Sequence, residues 1–325
     1  MRRPFLTYLF VVVLPAALTV GGGLVAARGA WQELSVTSHV RVGRMALRTL
    51  EADLAAGLSP STAQVGRVTG YRTALQRDGL IAFATEPPPP PEGVEGSVLV
   101  PAGEEAGTGS YSVLVAPTEP PGPPLPLPLL LVTGLLLLFA SLAGWIQLAG
   151  EPRRERTLSV LLLSALPAVT AWGFLVQADR LHLEAADQAE RRDLARALAV
   201  ARLRGVAGDP AAVHHLTGFH AWRVQGAAVA DASAGGSAGA VAGLRAPPSN
   251  FTSTGTVETP AGEAAYVALR LPGDEGFTVA VAPPSRARSA RFRTSAVWWG
   301  AALAAWLLLA GAAAAAGRAR VSSGR

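Results

Sequence analysis

The chain has 325 residues, half of them hydrophobic and only 16% charged, an apolar excess that few soluble globular sequences show and that makes a membrane class the first reading. All 28 basic residues are Arg and none is Lys, so a phosphate-loop lysine, a Schiff-base lysine and a kinase strand lysine are excluded. Cys is absent, which removes disulfides, thiolate metal sites and cysteine nucleophiles. With 35 Gly, 25 Pro and abundant Ala, the arginine content reads as coding bias, so the net charge of +5 does not point to a nucleic-acid partner.

Four stretches are long and apolar enough for a hydrocarbon core of about 30 Å, which takes roughly 20 helical residues: 5–27, 125–148, 158–178 and 296–316. Residues 5–27 read as an anchor in preference to a signal peptide, because the apolar run exceeds a signal core and recurs in the third stretch. Arginines at Arg2 and Arg3, at Arg153, Arg154 and Arg156, and at Arg318, Arg320 and Arg325 place three segments in the cytoplasm: 1–4, 149–157 and 317–325. Arg286, Arg288, Arg291 and Arg293 argue against this orientation, although long translocated loops escape the rule. The expected topology is a multi-pass protein of the inner (plasma) membrane, with both termini cytoplasmic and outer domains at 28–124 and 179–295. Membrane lipid is then an expected partner.

In chain order, the first outer segment predicts a helix over 31–58, a short helix opened by Ser59-Pro60 and closed at Gly70, then strands 71–76 and 80–85 about Asp78-Gly79, a strong hairpin signal. A proline-rich loop at 87–91 and strands 97–100 and 111–116 follow. The second segment repeats the series: a helix over 179–206, a short helix from Asp209-Pro210 to Gly218, strands 219–224 and 227–232 about Gln225-Gly226, a flexible 234–248 whose composition disfavours a core, and strands 265–271 and 277–282.

Collinear matches tie the two series together. Leu14-Pro15-Ala16 returns as Leu166-Pro167-Ala168, Thr69-Gly70-Tyr71 as Thr217-Gly218-Phe219, and Tyr111-Ser112-Val113-Leu114-Val115-Ala116-Pro117 as Phe277-Thr278-Val279-Ala280-Val281-Ala282-Pro283. The expected architecture is therefore an α+β membrane protein: four transmembrane helices and two extracytoplasmic domains, each with a long N-terminal helix and a small antiparallel sheet, related by internal duplication.

This order of a span running into a long helix, a small antiparallel sheet and a return helix resembles the extracytoplasmic PAS-like or Cache region of bacterial sensor histidine kinases. The resemblance covers each module from its first span to its second and rests on element order. It implies a small ligand held between sheet and helices, transmission through the membrane helices, a homodimer, and a cytoplasmic output kinase. Only 317–325 follow the fourth span, so the resemblance implies the input half alone, either truncated relative to a kinase-bearing receptor or working with a separate output protein.

Candidate ligand contacts lie in the first hairpin of each copy: Tyr71 and Arg72, their counterparts Phe219 and His220, and Trp222 and Arg223, aromatic walls with cations that suit a small organic anion. His214 and His215 are the weak metal candidates, set against a solvated helix end; no cofactor is expected. Glu104, Glu105, Asp274 and Glu275 read as turn residues, and the Asn250 sequon carries no weight. The expected function is a tandem extracytoplasmic signal-input module of a two-component-type receptor, with a non-sensory envelope assembly protein as the alternative. No catalytic set is legible, and a transporter is disfavoured because the apolar stretches lack ionisable positions.

Overall fold

A computed structural model describes residues 13–94, 96–101, 111–118, 132–137, 139, 156–233, 239, 241–248, 252–260 and 262–282. The chain forms two compact units, one of residues 1–31, 123–184 and 287–325, the other of 32–122 and 185–286. Helix α1 (Leu14–Ala55) is followed by α2 (Thr62–Thr69), β1 (Tyr71–Arg77), β2 (Leu80–Ala84), β3 (Val98–Pro101) and β4 (Tyr111–Pro117). The second series is α3 (Arg156–Leu203), α4 (Pro210–Thr217), β5 (His220–Gln225), β6 (Ala228–Ala232), β7 (Thr252–Thr259), β8 (Gly262–Leu269) and β9 (Gly276–Val281).

Among the described residues no helix is long and apolar enough to cross a membrane. That finding overturns the four-span topology, the multi-pass plasma-membrane placement and the transmembrane relay built on them. Of 5–27, residues 5–12 lie outside the described residues, and the remainder from Leu14 is the leading part of α1, which runs on to Ala55. The stretch 158–178 is the leading part of α3, which continues without a break into Asp179, Arg180 and Glu184. The stretch 296–316, most of 125–148, residues 1–4, 149–155 and 317–325, the 286–293 arginines, Glu104, Glu105 and Asn250 lie outside the described residues.

In the first unit, Ala16 and Val20 of α1 pack with Leu137 and with Ala171, Phe174, Leu175 and Ala178 of α3. The contact is close because Gly23 has no side chain: a Cβ there would stand 2.7 Å from Leu175 Cδ2. Several large apolar side chains of this unit remain exposed, among them Leu18, Val25, Phe139, Val169 and Trp172.

In the second unit the helices pair over one shared core. Val42, Met45, Ala46 and Leu50 of α1 recur at helical spacing, as do Leu194, Ala197, Leu198 and Ala201 of α3, and both stripes are buried with Val65, Leu75, Val113, Val213, Phe219 and Val267. Both sheets are antiparallel. The first runs β2-β1-β4-β3 and the second β6-β5-β9-β8-β7, so the second repeats the order of the first and adds one edge strand. The pairing irregularity recurs as well, between Leu75 and Gln76 in β1 and between Arg223 and Val224 in β5.

Local chemistry explains the turns. Asp78 and Gly79 take φ of 52° and 80°, the double left-handed turn that matches the twist of a two-residue hairpin. Gly70 and Gly218 close α2 and α4 in the left-handed conformation. Asp209 caps α4 by accepting from the amides of Ala211 and Ala212 at 2.9 and 3.1 Å, with Pro210 at the first helical position. The expected cap at Ser59-Pro60 is displaced: α2 begins at Thr62 after Ser61, whose hydroxyl donates to Asp53 Oδ2 at 2.6 Å and accepts no bond from the helix amides. Strand β7 was not expected, and neither was the role of 234–248, from which Val241 is buried under the second sheet.

Candidate functional site

The helix pair carries a buried polar cluster that joins the two copies. Asp193 on α3, 2% exposed, accepts from the Ser38 hydroxyl on α1 at 2.8 Å. Arg41 of α1 stands 3.4 Å from its Oδ2, and Arg196, one turn along α3, 3.1 Å from its Oδ1. Both guanidiniums also cover an aromatic ring of the opposite copy: Arg41 lies 5.0 Å over Phe219 and Arg196 5.1 Å over Tyr71. Phe219 and Tyr71 are the matched residues where the two hairpins begin, Tyr71 opening β1 and Phe219 just preceding β5, so the entry to each hairpin is covered by an arginine from the other copy's helix.

Burial pushes the Asp193 carboxyl above its ordinary range, against the lowering effect of Ser38, Arg41 and Arg196. The Tyr71 phenol is raised chiefly by burial as well. His39 of α1 is buried with its ring 5.5 Å from Tyr71 in an edge-on arrangement. Burial drives its pKa down, against a hydrogen bond to the Gly96 backbone and with help from Arg196.

The sequence-predicted residues separate into three groups. Tyr71 and Phe219 turn inward to the helix layer and belong to the shared core. Arg72 is half-buried on the other face of β1 and so is apart from Tyr71. Arg223 is engaged by an ion pair with Asp274 and lies 3.5 Å from Thr278 Oγ1, which makes it a strand-to-turn brace and corrects the reading of Asp274 as a solvated turn carboxylate. The Arg223 hydrogen bond leads the causes that lower the Asp274 pKa.

His220 and Trp222 are brought together. They lie on the face of the second sheet away from the long helices α1 and α3, their ring centroids 6.2 Å apart. His214 stacks on His220 at 5.0 Å and 8°, and its Nδ1 lies 3.0 Å from the Phe219 carbonyl. A carbonyl only accepts, so His214 Nδ1 carries a proton. His215 offers its carbonyl to Arg48. Among the described residues no three His, Asp or Glu side chains converge as a metal would require.

Sequence reasoning missed Ser38, His39, Arg41, Asp193 and Arg196. One signal was available: the offset that aligns Gly70 with Gly218 also aligns buried Met45 with Asp193, an acid standing where the first copy keeps an apolar residue. Compared with known proteins, the chain matches no family model, no curated protein and no solved structure, and the sensor and histidine-kinase descriptors drawn from element order accordingly find no support.

Proposed function

We propose that the chain is a ligand-responsive input module, in which a small molecule or partner binds one α+β copy and the paired helices carry the response. The supporting observation is the reciprocal clasp: Arg41 over Phe219 and Arg196 over Tyr71, both tied to Asp193. A ligand that displaces β5 in this reading moves Phe219 against α1 and disturbs the same carboxylate that holds Tyr71. The response then passes to a separate protein. Such a shift requires different affinities for two arrangements of the clasp. The test is the melting temperature of the full chain against a broad panel of small metabolites. A concentration-dependent rise with at least one compound supports the reading, and a flat response across the panel sinks it.

A docking protein is the second reading, favoured by the edge strand β2, where Leu80 is 76% exposed, Ile81 55% and Phe83 41%. If polar substitutions at these three positions abolish association with a cellular partner and metabolites leave the melt unchanged, docking replaces ligand response.

A further inference from the structure

We infer that the face of the second sheet away from the long helices α1 and α3 binds a small uncharged molecule with an apolar body and a carboxamide-like group, read by Trp222 and His220. This rests on the reading that the second copy recognises a ligand, and it names where and what. Trp222 is 3% exposed, and its indole Nε1 has no hydrogen-bond partner among the described residues. An indole N–H donates and cannot accept, so the missing partner is an acceptor. The Nδ1 of His220, also buried and without a partner, lies on the same face. Native proteins pair nearly all buried polar atoms with protein, water or ligand, so two such atoms on neighbouring rings mark a place where something else supplies the bonds.

The surroundings set the chemistry. Trp222 packs with the apolar side chains of Val224, Val257, Phe277, Val279 and Val281 beneath Val241. The nearest cation on the strand, Arg223, is committed to Asp274, so a carboxylate would be buried without a counter-charge. A neutral amide meets both demands: its oxygen accepts from Trp222 Nε1–H while its nitrogen donates to His220 Nδ1.

The duplication supplies an independent argument. Trp222 pairs with Val279 and Val224 with Phe277, whereas in the first copy Ala74 pairs with Leu114 and Gln76 with Ser112. By strand register, where the second copy places His220, Trp222 and Phe277 the first places Arg72, Ala74 and Ser112, one residue off the sequence match of Phe277 with Tyr111. The two sheets share a strand order and differ on this face, as expected if one copy alone took on recognition.

The test follows the indole N–H cross-peak of Trp222 in the full chain, one of seven tryptophans and assigned by its loss in Trp222→Phe. Benzamide, benzoate and toluene serve as the amide, the charged and the acceptor-free probes. Benzamide is expected to move the peak downfield and saturably, with benzoate and toluene each binding about tenfold more weakly. The inference is overturned if all three probes move the peak alike or if none moves it. A metabolite that raises the melt without moving this peak overturns the site and leaves ligand response standing. If neither happens with any compound, both fail.

Discussion

The hydroxyl of Ser38 donates to Asp193 Oδ1 across 2.8 Å, joining the long helix of one copy to that of the other. Asp193 is 2% exposed and its arginine partners about a quarter exposed, so removing it strands a partly desolvated pair of cations beside the core. Asp193→Ala is expected to cost about 2–3 kcal/mol, below the full range for a wholly buried pair. Urea unfolding checks this, with Asp193→Asn as the milder variant because its carbonyl still accepts from Ser38. A cost for Asp193→Ala indistinguishable from that of an exposed helix position would show that the clasp contributes nothing. The pH dependence has a definite sign: the folded carboxyl is raised, so the folded state holds its proton longer, and this residue's contribution falls as pH rises from about 4 through the folded value.

His39 works in the opposite sense. Its folded pKa is depressed by burial, so as pH falls below about 6.5 the unfolded chain takes up a proton that the folded chain resists. The stability associated with neutral His39 is complete above that value and is lost as pH drops through the folded pKa. Replacement by Phe keeps an aromatic ring edge-on to Tyr71 and removes the titration. Unfolding free energy measured between pH 7 and pH 5 is expected to fall less steeply for His39→Phe than for the parent chain; equal slopes would rule His39 out as the source.

Gly43 sits within α1, where alanine would ordinarily stabilise by about 1 kcal/mol. Here a Cβ would stand 2.5 Å from Val100 Cγ2 and 3.3 Å from Val115 Cγ2, both on buried residues of the first sheet. Overpacking of this kind costs about 1–3 kcal/mol, so Gly43→Ala is expected to destabilise on balance. A raised thermal midpoint would mean that helix and sheet do not approach so closely.

What the sequence revealed was mostly local chemistry. Asp78-Gly79, Gly70, Gly218 and Asp209-Pro210 announce their turns and caps because each depends on backbone preferences of a few neighbouring residues. Strand β7 was invisible because Thr252–Thr259 carries little apolar alternation and owes its extended form to pairing with β8. Tyr71 and Phe219 looked like ligand walls because a period of two does not say which face a helix covers. The continuation of 5–27 and 158–178 into the long helices 31–58 and 179–206 was legible in the apolar spacing of those charged segments. Asp193 escaped because its meaning lies in Ser38 and Arg41, more than 150 residues away.

Asp53 supplies the second tie between the copies and the last test. Its Oδ2 accepts from the Ser61 amide at 3.0 Å and the Ser61 hydroxyl at 2.6 Å, and its Oδ1 takes Arg204 from the end of the long helix α3. Burial alone would raise this carboxyl, but the Ser61 bonds and Arg204 together hold it below its ordinary value. Its contribution is therefore present above about pH 4 and lost as pH falls through the folded value. Asp53→Ala also frees the backbone amide of Ser61 at the entry to α2, so a loss of about 2–3 kcal/mol is expected, together with a shallower acid limb in the stability profile. Because the residue serves both its own copy and the other, a double-mutant cycle separates the two roles. Coupling of about 1 kcal/mol or more between Asp53→Ala and Arg204→Ala marks the bond across copies, while additive effects would confine Asp53 to organising the turn before α2.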